Sequence, residues 1–353
     1  MFKRISLIIF SSVQIFVVAQ NGGNIKNTQE SIKLVAVGDI MIGTDYPNSS
    51  YLPKDGIYPF KDVDSILKTS DLLFGNLEGT LSNTGKNAKF CKDPSKCYSF
   101  RSPESYGKYL NQAGFDLMSI ANNHISDFGR IGIDNTIKTL NANDIKSAGL
   151  EDIKPTTIFE KNGVVYGFVA FAPNNNCLKI NNIKNAKKIV HELSEKVDIV
   201  IVSFHGGAEG TEHKNVTRKI EYFYGENRGN VYEFSHEMID AGADVIFGHG
   251  PHVVRAIEVY KNKLIAYSLG NFATYKRFSL KGVKAFSPIL EVNIDKTGNF
   301  ISGKIHSAKQ TKERYPYFDK NQGAFKEIKL LTQVDFPESK IKFNTDGSFY
   351  VKN

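Results

Sequence analysis

The sequence predicts an α/β layered domain, and two observations predict it. Apolar, β-branched runs alternate with segments of helical period along most of the chain. Five of the apolar runs end in polar or glycine-rich segments: GDIM (38–41), GNLE (75–78), ANNH (121–124), FHGG (204–207) and GHGPH (248–252). Parallel strands carry such ends to one edge, where α/β proteins build their sites.

The chain begins with Lys3 and Arg4 ahead of the mostly apolar stretch Ile5–Ala19, which Ser11, Ser12 and Gln14 interrupt. Val17 and Ala19 offer small residues for cleavage. This order predicts a secretory signal peptide over residues 1–19 and an extracytoplasmic protein. An uncleaved anchor is the alternative, although the stretch is short and polar for a membrane span. No cysteine follows the run, which argues against a lipoprotein anchor. Polar residues 20–31 read as a linker.

Elements are expected in the following order. Lys33–Val37 is a strand, Val63–Lys68 a short helix and Asp71–Phe74 a strand. Ser82–Ser99 is a polar loop. Pro103 suits the first turn of a helix over Pro103–Ala113. Phe115–Ile120 is a strand, Gly132–Ala142 a helix and Ile145–Ala148 a short strand. Thr156–Glu160 and Val164–Phe171 form a hairpin around Lys161–Gly163. Helix Asn182–Glu195, strand Asp198–Phe204 and helix Asn230–Ala241 follow, the last closed by Gly242. Asp244–Phe247 is a buried strand. Val253–Tyr260 and Lys263–Ser268 form a second hairpin. From Ser287 on, strand-like runs are broken by Gly and Asn. This gives one domain over residues 32–282 and a β-rich extension, residues 283–353, packed on it.

The length of 353 residues suits one large α/β domain or two small ones. With 41% hydrophobic and 23% charged residues, a disordered or collagen-like chain is excluded. Tryptophan is absent, and 25 Phe and 16 Tyr are available to fill a core. Loss of Lys3 and Arg4 with the leader lowers the net charge from +8 to +6. A basic protein favours anionic partners such as phosphorylated envelope polymers. No dense basic stripe with interleaved aromatics appears, so nucleic acid is not an expected partner. Cys91 and Cys97 bracket the loop CKDPSKC and form either a local disulfide or two free thiols. Cys177 lacks the neighbours that a zinc knuckle needs.

The strand ends carry the chemistry. Asp39 supplies either a charged oxygen ligand or a turn aspartate. Glu78 could bridge two cations, while Asn76 could hold a loop. Asn123 offers a neutral oxygen beside His124, and Asp127 lies three residues on, where it can orient that imidazole. Helix capping is the competing reading of the asparagines. His205 ends the apolar run Ile199–Phe204. His249 and His252 follow a buried strand that opens at Gly248. Glu209 and His213 are further candidates. Together, mixed oxygen and nitrogen donors suit a divalent metal centre. Two such ions about 3.5–4 Å apart can activate water and clamp a phosphoryl oxygen. Arg218 and Arg228 either meet an anionic substrate or are plain surface charges.

The ordered series GDIM, GNLEGTLS, IANNHISDFG, SFHGGAEG, AGADVIFGHGPHVV and IAYSLGNF runs from about Leu34 to Phe272. It resembles the bacterial capsule-synthesis CapA family, which is associated with poly-γ-glutamate capsule production and is similar to calcineurin-like metallophosphoesterases. The resemblance implies a four-layer α/β/β/α sandwich holding two divalent ions, Mn, Fe or Zn. It implies Asp39, Glu78, Asn123, His205, His249 and His252 as ligands, and His124 as general acid or phosphate-positioning group. Asp127 beside His124, with Asn76, Arg218 and Arg228 as substrate contacts, completes the expected site. Three departures stand out. Met41 occupies the histidine position of the phosphoesterase Asp-x-His pattern. The pair Asn76 and Glu78 replaces the usual second-strand aspartate. His249–Gly250 stands where CapA-like proteins often carry adjacent histidines. The expected function is an exported phosphoesterase-like hydrolase acting on an anionic cell-envelope polymer or its phosphorylated precursor, with capsule-synthesis membrane proteins as partners. The alternative is a non-hydrolytic component that binds such a polymer.

Overall fold

Strand Ile32–Met41 is ten residues long and almost wholly buried, so it belongs in a sheet covered on both faces. The computed structural model describes residues 31–54, 56–90 and 97–352, and places this strand inside a nine-stranded sheet. It pairs in parallel with Leu72–Leu77 and antiparallel with Ile289–Ile294. Leu117–Ser119 and Lys146–Ala148 extend the sheet on one side. Phe300–His306, Ser348–Val351 and Ile341–Phe343 extend it on the other. The short strand Asn271–Thr274 runs parallel to the end of Ile32–Met41.

A second, six-stranded sheet has the order Ile257–Tyr260, Lys263–Ala266, Val245–His249, Ile199–His205, Val164–Phe171, Thr156–Lys161. Its four inner strands are parallel, and a hairpin closes each edge. Side chains alternate between its faces, as strand geometry demands. Ile199 and Ile201 join the large core shared with the first sheet. Val200, Val202 and Phe204 pack with helices Ile183–Ser194 and Val231–Asp240. The two sheets meet through Phe74, whose ring lies 5.2 Å from that of Phe247 and 5.7 Å from that of Phe168. Helices Gly107–Ala113 and Gly129–Ala142 contribute Leu110, Ile133 and Leu140 to the core of the first sheet. The layers are therefore α/β/β/α, the fold class expected from the sequence.

Local chemistry explains the helix starts. Asn182 and Asn230 each accept a hydrogen bond from the backbone N–H three residues on, at Asn185 and Glu233. Helix Gly323–Asp335 was not expected in a region read as broken strands. Its Phe325 and Ile328 enter the core of the first sheet, and Leu331 enters that of the second. The strands after residue 282 are not peripheral, because Ile289–Ile294 runs along six residues of Ile32–Met41.

The expected signal peptide, all of the linker except Ser31, and Cys91 lie outside the described residues. Cys97 is disulfide-bonded, and Cys177 is a free, buried thiol. Among the described residues no helix is long and apolar enough to cross a membrane.

Candidate metal centre

The strand ends of both sheets meet in one cluster. Asp39 is opposite Asn76 on one side and Asn271 on the other. His205 is opposite His249 in the second sheet. Close backbone packing makes the junction: a Cβ at Gly38 would lie 2.0 Å from Gly270 O. Only glycine there lets the Asp39 N–H donate to that same carbonyl, at 2.9 Å.

Asp39 is fully buried. Its Oδ1 accepts from Asn76 Nδ2 at 2.8 Å and lies 3.2 Å from His249 Nδ1, while Oδ2 lies 3.0 Å from His252 Nδ1. Burial pushes its pKa up, but hydrogen bonds and charge from the two imidazoles more than offset this and hold the carboxyl below its usual range. Burial likewise opposes charge on His252, yet Glu78, Asp39 and Glu209 raise it to about 10. Without metal, Asp39 and His252 are thus a carboxylate–imidazolium pair. His252 takes the left-handed backbone, φ 56°, which is uncommon outside glycine. Its Nε2 then lies 3.6 Å from Glu78 Oε1. Asp39, Glu78 and His252 offer donor atoms all within 4.8 Å of one another.

Several buried donor atoms around this triad lack any hydrogen-bond partner. They are both carboxylate oxygens of Glu78, Asn123 Oδ1, His249 Nε2 and both ring nitrogens of His205. Burial pushes the Glu78 carboxyl well up and holds His205 well below its ordinary value, so His205 is neutral. Buried polar atoms nearly always find partners, and an uncompensated buried charge costs several kcal/mol. Carboxylate, amide oxygen and neutral imidazole together are a donor set for Mn, Fe or Zn. A cation would satisfy the atoms that the protein leaves unpaired.

His124 stands beside this set. Its Nδ1 is 2.7 Å from Asp127 Oδ2, and Lys89 Nζ is 3.0 Å from Asp127 Oδ1 and 3.1 Å from the same ring nitrogen. Nδ1 cannot both donate to Asp127 and accept from Lys89. The shorter contact and the Lys89–Asp127 ion pair assign its proton toward Asp127. Nε2 is then open to the site, 3.9 Å from Glu78 Oε1. Burial, and next the charge of Lys89, lower His124 to about 4. The Phe100 ring lies 4.1 Å from that of His124, and the Phe278 ring 5.1 Å from that of His252. Met41 packs with these two phenylalanines. The histidine position of the Asp-x-His pattern is therefore filled by apolar volume.

The expected substrate contacts fare differently. Arg228 is 2% exposed and close to His205, since Gly207 N–H donates to its carbonyl at 2.8 Å. Its Nη1 reaches Glu226 at 3.0 Å and Glu209 at 3.3 Å, and its Nε and Nη2 have no partner. Asn76 uses its Nδ2 on Asp39, and its Oδ1 accepts from Asn122 Nδ2 at 3.3 Å. Arg218 is taken up by Glu338 and the Asp335 carbonyl and lies over the Tyr232 and Phe336 rings, at the end of helix Gly323–Asp335. His213 is exposed, with its ring toward Phe223. Gly250 stands where a second histidine was noted as missing. It has φ 113°, and a Cβ there would lie 2.8 Å from Gly206 O, so this backbone has no room for a side chain.

Sequence reasoning missed Lys89, Phe100, Phe278 and Asn271. Asn271 is fully buried, and its Nδ2 donates to the carbonyls of His252 at 3.2 Å and Lys284 at 3.1 Å. Its Oδ1 has no partner. The signal was present, since Asn271 follows an apolar run and Gly270, as the other site residues follow theirs. Lys89 comes from a polar loop and had none.

Residues 33–276 match the family model described as bacterial capsule synthesis protein PGA_cap. The capsule biosynthesis protein CapA of Bacillus anthracis is 30% identical over 262 residues, covering 69% of this chain and 60% of that protein. The PGA biosynthesis protein CapA of Bacillus subtilis (strain 168) is 31% identical over 251 residues, covering 67% and 61%. The matched region thus spans about 60% of the length of these two relatives. Among solved structures, a hypothetical protein from Thermus thermophilus aligns with a TM-score of 0.48 at 16% identity, covering 79% of this chain and 100% of that one. A 5'-nucleotidase precursor from the same organism aligns with a TM-score of 0.45 at 14% identity, covering 88% and 59%.

Proposed function

This chain belongs to the bacterial capsule synthesis family PGA_cap, and from that premise we propose that it is an exported, metal-dependent hydrolase of phosphoesterase type. Its substrate is an anionic cell-envelope polymer or the phosphorylated precursor of one, and capsule-synthesis membrane proteins are its partners. The observation that carries this reading is the Asp39, Glu78 and His252 triad, with unpartnered buried donors on Glu78 itself and on His205 and His249 beside it. In this reading the ions are two and divalent, of Mn, Fe or Zn type. Asp39, Glu78 and His252 would hold one. Asn123, His205 and His249 would hold the other.

Such ions, when bound, supply a water nucleophile at neutral pH and charge stabilisation for a phosphoryl oxygen. The remaining work falls to side chains. Asn76 fixes Asp39 through its 2.8 Å hydrogen bond. Asp127 holds the Nδ1 proton of His124 and so directs Nε2 into the site. An anionic phosphoryl group beside that nitrogen raises its proton affinity. His124 can then carry a proton at Nε2 and deliver it to the leaving oxygen. Met41, Phe100 and Phe278 keep bulk water from one side of the two imidazoles. The unpartnered Nε and Nη2 of Arg228 offer donors to an anionic group.

Metal analysis of the mature protein, with hydrolysis of bis(p-nitrophenyl) phosphate, tests the proposal. Wild type is expected to retain Mn, Fe or Zn and to turn over the ester, and an Asp39→Ala/His205→Ala variant to lose both. A metal-free wild type, or equal activity in the variant, refutes it. The loss of a nitrogen donor at Met41 favours a second reading, a non-hydrolytic component of polymer assembly. Metal retention with salt-sensitive polymer binding and no ester turnover would support that one.

A further inference from the structure

Arg277 differs from every other arginine among the described residues. Each of the others has a carboxylate within salt-bridge distance. Arg277 has none. Its guanidinium carbon lies instead 4.6 Å from the ring centre of Tyr51 and 4.8 Å from that of Tyr98. Its Nε is buried without a hydrogen-bond partner. Lys276 Nζ donates to Ser50 O at 2.9 Å, which ties the Tyr51 segment to the Arg277 segment. Aromatic faces engage the flat sides of a guanidinium and leave its in-plane N–H donors for another group.

The stack adjoins the metal centre. Phe278, the next residue, lies 5.1 Å from the His252 ring and 5.1 Å from that of Phe100. Phe100, two residues after Tyr98, packs on His124. The Tyr51–Arg277–Tyr98 stack is therefore one residue outward from the wall of the site. Tyr98 is 43% exposed, so the stack meets solvent.

We propose that this stack is an anion subsite, taking a carboxylate or phosphate group of a polyanionic ligand whose reacting group lies at the metal centre. A rigid fork of parallel N–H donors fits the edge of either oxyanion. Arg277 thus takes the anchoring role that Arg218, bound to Glu338, cannot fill. The proposal rests on the reading of the site as one for an anionic envelope polymer, and it can fail separately.

The test uses the mature protein, once with EDTA and once with Mn2+. The probes are a fluorescein-labelled poly-γ-glutamate decamer for carboxylate and sodium tripolyphosphate for phosphate. Wild type is expected to bind at least one of them, more weakly as salt rises. Arg277→Gln should weaken that binding about tenfold or more, the scale of a charge-assisted fork. Arg277→Lys keeps the charge without the fork and should fall between. Arg130→Gln removes the same charge from an exposed ion pair with Asp134 and should stay within about twofold. Circular dichroism confirms that each variant folds. The probe that depends on Arg277 names the group bound. Failure of wild type to bind either probe overturns the subsite. So does unchanged affinity in both Arg277 variants, or an equal loss in Arg130→Gln. Failure of the hydrolase reading would show instead as absent metal uptake, with the Arg277 dependence intact in EDTA.

Discussion

A buried carboxyl group without a hydrogen-bond donor is costly unless a cation stands beside it. Glu78 is in that position, with both oxygens unpartnered. Glu78→Gln should therefore lower metal affinity at least about tenfold, as metal titrations would show. His252 gives the pH dependence. Its folded pKa is raised, to about 10 against an ordinary 6.5, chiefly by Glu78 and Asp39 once the opposing effect of burial is overcome. A raised cationic group contributes fully below its unfolded value and loses that contribution as pH climbs through the folded one. Metal-free protein should thus melt progressively lower between about pH 6.5 and pH 10. A bound ion must displace that proton. Titration calorimetry in two buffers of different ionisation enthalpy should then show proton release on metal uptake.

Among the elements, the loop from Ala208 to Arg228 depends on one buried ion pair. Arg255 is fully buried and meets both oxygens of Glu221, at 2.8 and 2.7 Å. It also donates to the carbonyls of Ala208 and His213. Glu221 in turn accepts from the Ala208 N–H at 2.8 Å. The pair ties the start of the loop to the stretch that carries Arg228 back toward His205. Glu221→Ala strands a buried guanidinium and should cost about 3–5 kcal/mol in urea unfolding. The short strand Asn271–Thr274 serves the same end from the first sheet, because Asn271 sits level with Asp39 and holds the His252 carbonyl.

For the whole molecule, the strands beyond residue 282 are structural. Ile289–Ile294 pairs with Ile32–Val37 of the strand that delivers Asp39. A chain ending at residue 282 exposes that strand and should not fold, as circular dichroism and gel filtration would show. This part of the architecture was the least legible in the sequence. Buried parallel strands such as Ile199–His205 announce themselves as continuous apolar runs. Antiparallel strands covered on one face, such as Phe300–His306, read only as broken alternation. Helix Gly323–Asp335 is split between two cores, so its apolar residues do not form one obvious stripe. The candidate site was legible where its polar residues end strands, as at Asp39, Glu78, His205 and His249. It was not legible where a contact depends on a loop folding back, as at Lys89, or on a stack between distant segments, as at Arg277.

A metal centre built from these strand ends is tested most directly by anomalous scattering from Mn2+-soaked crystals of the protein. The predicted result is two peaks, one among Asp39, Glu78 and His252 and one among Asn123, His205 and His249. Soaked crystals with no anomalous density at the Asp39–Glu78–His252 triad would contradict it.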